Sequence, residues 1–236
     1  MNNISINTRV LPALTTALIV GLYASTAQAV PVGIGSTVSL PGTTVAAEPN
    51  LAGTVVLDNL YSFNNTFASE TFAGTVQERV VRETGTGTLD FYWRVMNTGT
   101  AGTAGRLDAN IGDFRIGNFN IPGTPVNLNF RTDGLGDVAP TSAQRFSGSF
   151  QNYFNFIFPN GIAPGQSSNF MLAETNATAF TQNASFDVTN IGESKIVFTG
   201  VQVSPVPEPG ELALMASGLG LMGFIAMRRR NANKSV

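Results

Sequence analysis

The sequence predicts an all-β body, an antiparallel β-sandwich of jelly-roll-like type, and three observations support this fold class. Apolar and polar residues alternate with a period of two in several short runs, as they do in strands with one buried face. Clusters of Gly, Asn, Asp and Pro separate these runs. The body shows no strong amphipathic-helix pattern. The 236 residues include 17 Phe, and we expect most of them in the core between two sheets.

Residues 1–29 have the pattern of a secretory signal peptide. A polar start, with Arg9 as its one charge, leads into a mostly apolar run from Val10 to Tyr23. The tripeptide Ala27-Gln28-Ala29 then has the small-x-small pattern that signal peptidase reads. We therefore predict an N-terminal signal helix, export, and cleavage by signal peptidase after Ala29.

Residues 30–203 are predicted to form a single β-sandwich domain. Its clearest hairpin joins residues 76–82 to residues 88–96 through the turn sequence ETGTG. In the second of these strands Phe91 and Trp93 share one face, while Asp90 and Tyr92 share the other. Other alternating runs are PVNLNFR, YFNFIF, SNFMLAE and SKIVFTGVQV. Such runs are typical of half-buried antiparallel strands, with the second face in water.

Composition excludes several kinds of chemistry from this body. The chain has no Cys and no His, so a disulfide, a Cys/His zinc site and a thiol nucleophile are impossible. Residues 30–203 carry 13 acids and eight bases, with no basic patch that would favour a nucleic-acid partner. We expect no catalytic residues, no cofactor and no metal.

Residues 204–236 contain three features in order: a proline-rich linker, an apolar run and a basic end. The prolines keep the linker extended. The apolar run begins at Leu212 and ends at Met227, which is about 24 Å as a helix and predicts a transmembrane segment. The basic residues after it place that side of the membrane in the cytoplasm. The residues that define the two ends of this pattern are Pro207, Glu208, Pro209, Arg228, Arg229 and Arg230.

This order of Pro-Glu-Pro, one membrane span and an arginine cluster resembles the PEP-CTERM sorting signal, a segment sometimes named for ice-binding proteins. The resemblance implies recognition by an exosortase, a membrane-embedded cysteine protease that cleaves near Pro-Glu-Pro. It also implies transient anchoring in the inner membrane, followed by release or attachment at the cell surface, often in bacteria that make exopolysaccharide. The body stretches GTGTLDFYWRVMNTGT, RTDGLGDVAP and IAPGQSSNFMLAETNATAF look like those of a group of PEP-CTERM proteins of unknown function.

Two loops in the body have alternative interpretations. The sequence DGLGD offers the carboxylates of Asp133 and Asp137 to Ca²⁺, or it forms an Asx-Gly turn between strands. Thr84, Thr86 and Thr88 alternate with glycines, which fits one row of an ice-binding Thr ladder or a Gly-rich hairpin turn. The turn is favoured in both loops.

We expect an exported, non-enzymatic surface or matrix protein that an exosortase processes. One alternative is a carbohydrate-binding module that holds exopolysaccharide on exposed, coplanar aromatic rings such as Tyr92 and Trp93, although Trp93 fits the core better. Another alternative is a glycosidase-like enzyme, which would need two carboxyl groups about 5–10 Å apart in a cleft.

Overall fold

The computed structural model describes residues 28–67, 70–100, 109–119, 126–190 and 195–203. These residues form two six-stranded sheets in which every neighbouring pair of strands is antiparallel. The strands are β1 (Val30–Val32), β2 (Thr37–Ser39), β3 (Gly53–Phe67), β4 (Glu70–Glu83), β5 (Leu89–Asn97), β6 (Ile111–Gly117), β7 (Val126–Phe130), β8 (Ser142–Arg145), β9 (Phe154–Ile162), β10 (Met171–Glu174), β11 (Phe180–Asn190) and β12 (Lys195–Val203).

Sheet A has the strand order β1-β7-β10-β5-β4-β3, and sheet B has the order β12-β11-β6-β9-β8-β2. Side chains from both sheets meet in one large apolar core. The prediction of an all-β, sandwich-like body is therefore confirmed.

The hairpin predicted from the alternating pattern is present as β4 and β5. Val80 pairs with Phe91 and Arg82 with Leu89, and a turn at residues 84–86 connects the strands. The period-two runs did not identify β3, which pairs with β4 along 14 residue pairs and forms one edge of sheet A. A register shift between Val55 and Leu57 interrupts its alternation, which obscures the period of two in the sequence.

The core between the sheets is largely aromatic and is centred on Trp93 of β5, which is fully buried. Its ring lies 6.0 Å from that of Phe154 and 6.3 Å from that of Phe186, both of which belong to sheet B. The indole N–H donates to Oε1 of Glu78 at 3.3 Å, so the polar edge of the ring is satisfied inside the core. Ten phenylalanines are buried in this core: Phe63, Phe72, Phe91, Phe114, Phe119, Phe130, Phe154, Phe156, Phe158 and Phe186.

Part of the outer face of sheet A is also covered, so the prediction of half-buried strands is wrong for that part. On β5, Asp90 and Tyr92 point away from the inter-sheet core, yet they are 0% and 3% exposed. Residues 45–52 lie against this face and contribute Leu51 to a second apolar cluster. The other buried members of that cluster are Val81, Tyr92, Phe170 and Leu172.

The described residues include short 3₁₀ turns at Pro49–Leu51 and Gly148–Phe150. Across the described ranges, no helix is long and apolar enough to cross a membrane. The predicted signal helix and the apolar run from Leu212 to Met227 lie outside those ranges. The first described strand begins at Val30 and the last one ends at Val203, while the predicted domain limits stay a prediction.

Replacing Trp93 with Ala should destabilise the domain by about 3–5 kcal/mol, because the change leaves a large cavity between the sheets and removes one of the hydrogen-bond donors to Glu78. The free energy of unfolding is measured by urea titration. The matched control is Phe150→Ala, since Phe150 is 59% exposed and its loss should cost under about 1 kcal/mol. Equal losses in the two variants would contradict the assignment of Trp93 to the centre of the core.

Candidate functional site

The predicted sorting residues, Pro207 to Pro209 and Arg228 to Arg230, lie outside the described residues. Of the predicted cleavage site, Ala27 is also outside, whereas Ala29 is described. Ala29 packs against the second apolar cluster on the outer face of sheet A, directly before β1. The candidate sites within the described residues are therefore those of the β-sandwich body.

The two carboxylates of the DGLGD loop are held apart by separate partners. Oδ1 of Asp133 accepts a hydrogen bond from Nε of Arg131 at 2.6 Å, and Oδ2 accepts one from the backbone N–H of Val45 at 2.8 Å. Asp137 instead accepts the N–H and the hydroxyl of Ser167 through one oxygen, at 2.9 and 3.0 Å. These hydrogen bonds lower the pKa of both carboxyls. Both carboxylates join the loop to neighbouring segments through hydrogen bonds, an arrangement that fits the turn interpretation.

The Thr-Gly stretch is the connection between β4 and β5. The hydroxyl of Thr86 donates to Glu83, and the Thr86 and Thr88 hydroxyl oxygens lie 2.6 Å apart. These hydroxyls therefore bond within the turn and close the hairpin, as the turn interpretation predicts.

The aromatic side chains do not form a flat surface among the described residues. Trp93 lies in the core and Tyr92 is 3% exposed, packed in the cluster with Leu51, so neither ring offers a face for stacking on a sugar. Phe150 is exposed, but its ring meets that of Tyr153 at 82°. The platform on which the carbohydrate-binding alternative depended is not built by these rings.

A groove of about 420 Å³ lies on the outer face of sheet A, beside residues 45–53. Tyr92 and Phe170 line it together with Arg79 and Arg131. Each arginine already has a carboxylate partner at 2.6 Å, Asp58 for the first and Asp133 for the second. No lining residue is acidic, so this groove does not supply the carboxyl pair that a glycosidase-like enzyme would need.

Four carboxyl groups instead cluster under the cover of sheet A, three of them buried and the fourth, Glu174, partly exposed. Glu83 ends β4, Asp90 lies on β5 and Glu174 ends β10, with Glu174 directly opposite Asp90 in the ladder. Glu48 reaches them from the covering segment. Glu48, Glu83 and Asp90 are at most 6% exposed. No group of three or more such side chains in the described residues is arranged to hold a metal ion.

Burial and mutual repulsion favour the protonated forms of two of these acids. Burial, with the nearby charges of Glu83 and Glu174, raises the pKa of Asp90 to about 8. Burial, with the adjacent carboxyl of Glu48, raises the pKa of Glu174 to about 8. Neither oxygen of Asp90 or of Glu48 accepts a well-formed hydrogen bond from a donor in the described residues. A carboxylate pair gains a hydrogen bond when one member keeps its proton, so proton sharing satisfies this cluster.

The sequence analysis did not find this cluster, because its members are far apart in the chain. The one local signal is Asp90, a charged residue inside the strand sequence LDFYW. On an alternating strand, a single acid on the polar face is normally solvated. The segment that removes the solvent lies about 40 residues earlier.

The stability of the domain should fall as pH rises from about 5 to about 8. An acid whose pKa is higher in the folded state than in the unfolded state stabilises the fold while protonated, and that stabilisation is lost as pH rises through the folded value. One such group changes the free energy of unfolding by up to about 1.4 kcal/mol per pH unit, so over these three units one group gives a loss on the order of 4 kcal/mol. The measurement is urea unfolding at each pH.

Asp90→Asn should flatten this dependence, because the amide stays neutral at every pH. Asp58→Asn is the control, since Asp58 is a surface carboxyl whose pKa is lowered by hydrogen bonds and whose contribution is lost only in stronger acid. A wild-type stability that is constant or increases over this range would contradict the assignment.

Comparison with known proteins identifies one segment of the chain. A family model for the PEP-CTERM protein-sorting motif matches residues 205–230. No curated protein matches the chain, and no solved structure matches it. The matched residues include the Pro-Glu-Pro tripeptide, the apolar run and the three arginines. A motif of this type implies export and processing by an exosortase. The chain is therefore a protein that carries a PEP-CTERM sorting motif, attached to an all-β body.

Proposed function

We propose that this protein is a non-catalytic surface or extracellular-matrix component whose β-sandwich body is delivered to the outside of the cell by its sorting segment. The observation that carries the proposal is the sorting motif at residues 205–230, which follows directly on the strand that ends at Val203. In this arrangement the folded body is cargo, and residues 204–236 direct its processing.

The chemistry of the segment suits a transient anchor. Prolines cannot continue a helix, so the linker at residues 205–209 stays extended outside the membrane, where a protease can bind it. The apolar run of residues 212–227 holds the chain in the inner membrane with the body outside the cytoplasm. Arg228, Arg229 and Arg230 retain the far end on the cytoplasmic side. Exosortase cleavage then frees the body for the cell surface or the medium.

Two features of the body support a non-catalytic role. Its acid cluster lies beneath a covering segment rather than in an open cleft. The arginines of its groove are held in ion pairs with Asp58 and Asp133, which leaves the groove mainly an apolar surface. A structural component of the surface needs a stable fold and a route out of the cell, and this chain contains elements for both.

Changing Glu208 to Ala should block processing and leave membrane insertion intact. The change removes the one charge of the Pro-Glu-Pro tripeptide but leaves the apolar run and the arginines in place. In a host that has an exosortase, the variant should remain full length in the inner membrane while the wild-type body reaches the surface or medium. Cell fractionation followed by immunoblotting with an antibody to the body measures this.

Glu211→Ala provides the matched control, because it removes an acid three residues away without altering the tripeptide. This control should be processed like the wild type. If Glu208→Ala is also processed at the wild-type rate, the tripeptide is a linker and the exosortase proposal fails.

The exported protein should begin at Val30. Ala27 and Ala29 have the small side chains that signal peptidase accepts, and cleavage after Ala29 leaves β1 intact from its first residue. N-terminal mass spectrometry of protein from the culture tests this. Recovery of exported protein that starts at Met1 or Asn2 would show that the segment is retained.

A further inference from the structure

Residues 46–51 form a strap across the outer face of sheet A. Among the described hydrogen bonds, those of the strap backbone are made within the strap or to its flanking residues. The N–H of Glu48 donates to the carbonyl oxygen of Thr44 at 2.9 Å, and the N–H of Leu51 donates to that of Glu48 at 3.1 Å. None of these bonds joins the strap backbone to a strand. The flanking residues are fastened instead, Val45 to Asp133 at 2.8 Å and Ala52 to Thr84 at 3.4 Å. The strap is thus fixed at both ends and free of backbone bonds to the sheet between them.

Two side chains hold the middle of the strap down. Ala46, Pro49 and Asn50 are exposed, whereas Glu48 and Leu51 are buried at 5% and 3% exposure. Leu51 closes the second apolar cluster, which stabilises the closed position. Glu48 enters the carboxyl cluster, where its neighbour is Glu174. The closed strap therefore places an acid against other acids, and this contact is attractive only while a proton is shared.

The charged groups around the cluster do not supply a counter-ion. Arg82 of β4 donates to the carbonyl oxygens of Gly87 and Thr178, at 2.7 and 3.2 Å. Arg79 and Arg131, on the groove side, pair with Asp58 and Asp133, and Arg131 also interacts with Tyr92. The titratable group beside Glu48 is Glu174 from β10. Glu83 from β4 and Asp90 and Tyr92 from β5 complete the cluster around Glu174.

We propose that residues 46–51 are a pH-sensitive strap, closed over sheet A while the buried carboxyl groups beneath Glu48 hold a proton and released when alkaline surroundings remove that proton. Release lifts Leu51 with Glu48, since the two residues belong to the same turn. It uncovers Val81, Tyr92, Phe170 and Leu172, an apolar patch on the outer face of the sheet. The body of an exported protein meets the pH of its surroundings directly, so the strap makes this surface respond to external alkalinity.

Hydrogen exchange with mass spectrometry on the full-length chain in detergent tests the strap. Exchange rates are divided by the intrinsic rate at each pH, and the peptide containing β5 serves as the internal reference. With carboxyl pKa values of about 8 at Asp90 and Glu174, protection of residues 46–51 should drop at least about tenfold between about pH 6 and about pH 9, while β5 stays protected.

Glu48→Gln should keep the strap closed at both pH values, because the amide keeps its donor protons and carries no charge. Asn50→Ala, at an exposed position of the same strap, should behave like the wild type. Glu174→Gln removes the partner carboxyl and provides a second variant should Glu48→Gln not fold; it should reduce the pH dependence in the same direction.

Three results would overturn the proposal. The first is wild-type protection that does not change with pH. The second is an equal loss of protection in Glu48→Gln and in the wild type. The third is restoration of protection at high pH by millimolar Ca²⁺ in the wild type but not in Glu48→Gln, which would assign a cation site to the cluster in place of a shared proton.

Discussion

The packing of Trp93 between the two sheets is the contact on which the rest of the structure depends. Its ring is fully buried and meets aromatic side chains of β6, β9 and β11, so one residue of sheet A joins three strands of sheet B. Aromatic pairs of this kind each contribute about 0.5–1.5 kcal/mol beyond the area they bury. The domain has no disulfide, because the chain has no Cys. The aromatic layer and the two hydrogen-bonded sheets therefore supply its cohesion.

Part of sheet A is buried on both faces, and this has an electrostatic cost. The segment that covers its outer face adds the apolar cluster around Leu51 and Phe170, but it also removes water from Glu48, Glu83 and Asp90. Burial of a lone charge is far more costly than burial of a neutral carboxyl, so the pKa of Asp90 rises to about 8. The same covering segment thus contributes apolar burial and makes the fold sensitive to pH. The surface acids Asp58, Asp133 and Asp137 have hydrogen bonds that lower their pKa values.

The sorting motif and the strands of the folded body occupy separate parts of the chain. The sorting motif lies at residues 205–230, beyond the last described strand. Proteases bind extended peptides, and the prolines at positions 205, 207 and 209 disfavour helical structure. The motif therefore implies export of the protein, whereas the role of the β-sandwich depends on the residues of the body itself.

By itself, the sequence determined the features that depend on neighbouring residues. Alternation placed Phe91 and Trp93 on one face of a strand, and the Thr-Gly turn paired that strand with β4, because side-chain direction and turn geometry are local properties. The order of tripeptide, apolar run and arginines was likewise readable without a fold. Only the tertiary structure decided that Asp90 and Tyr92 are buried and that Glu48 joins them. A strand's alternation reports which residues share a face but not what packs against it, and here the cover comes from a segment about 40 residues away.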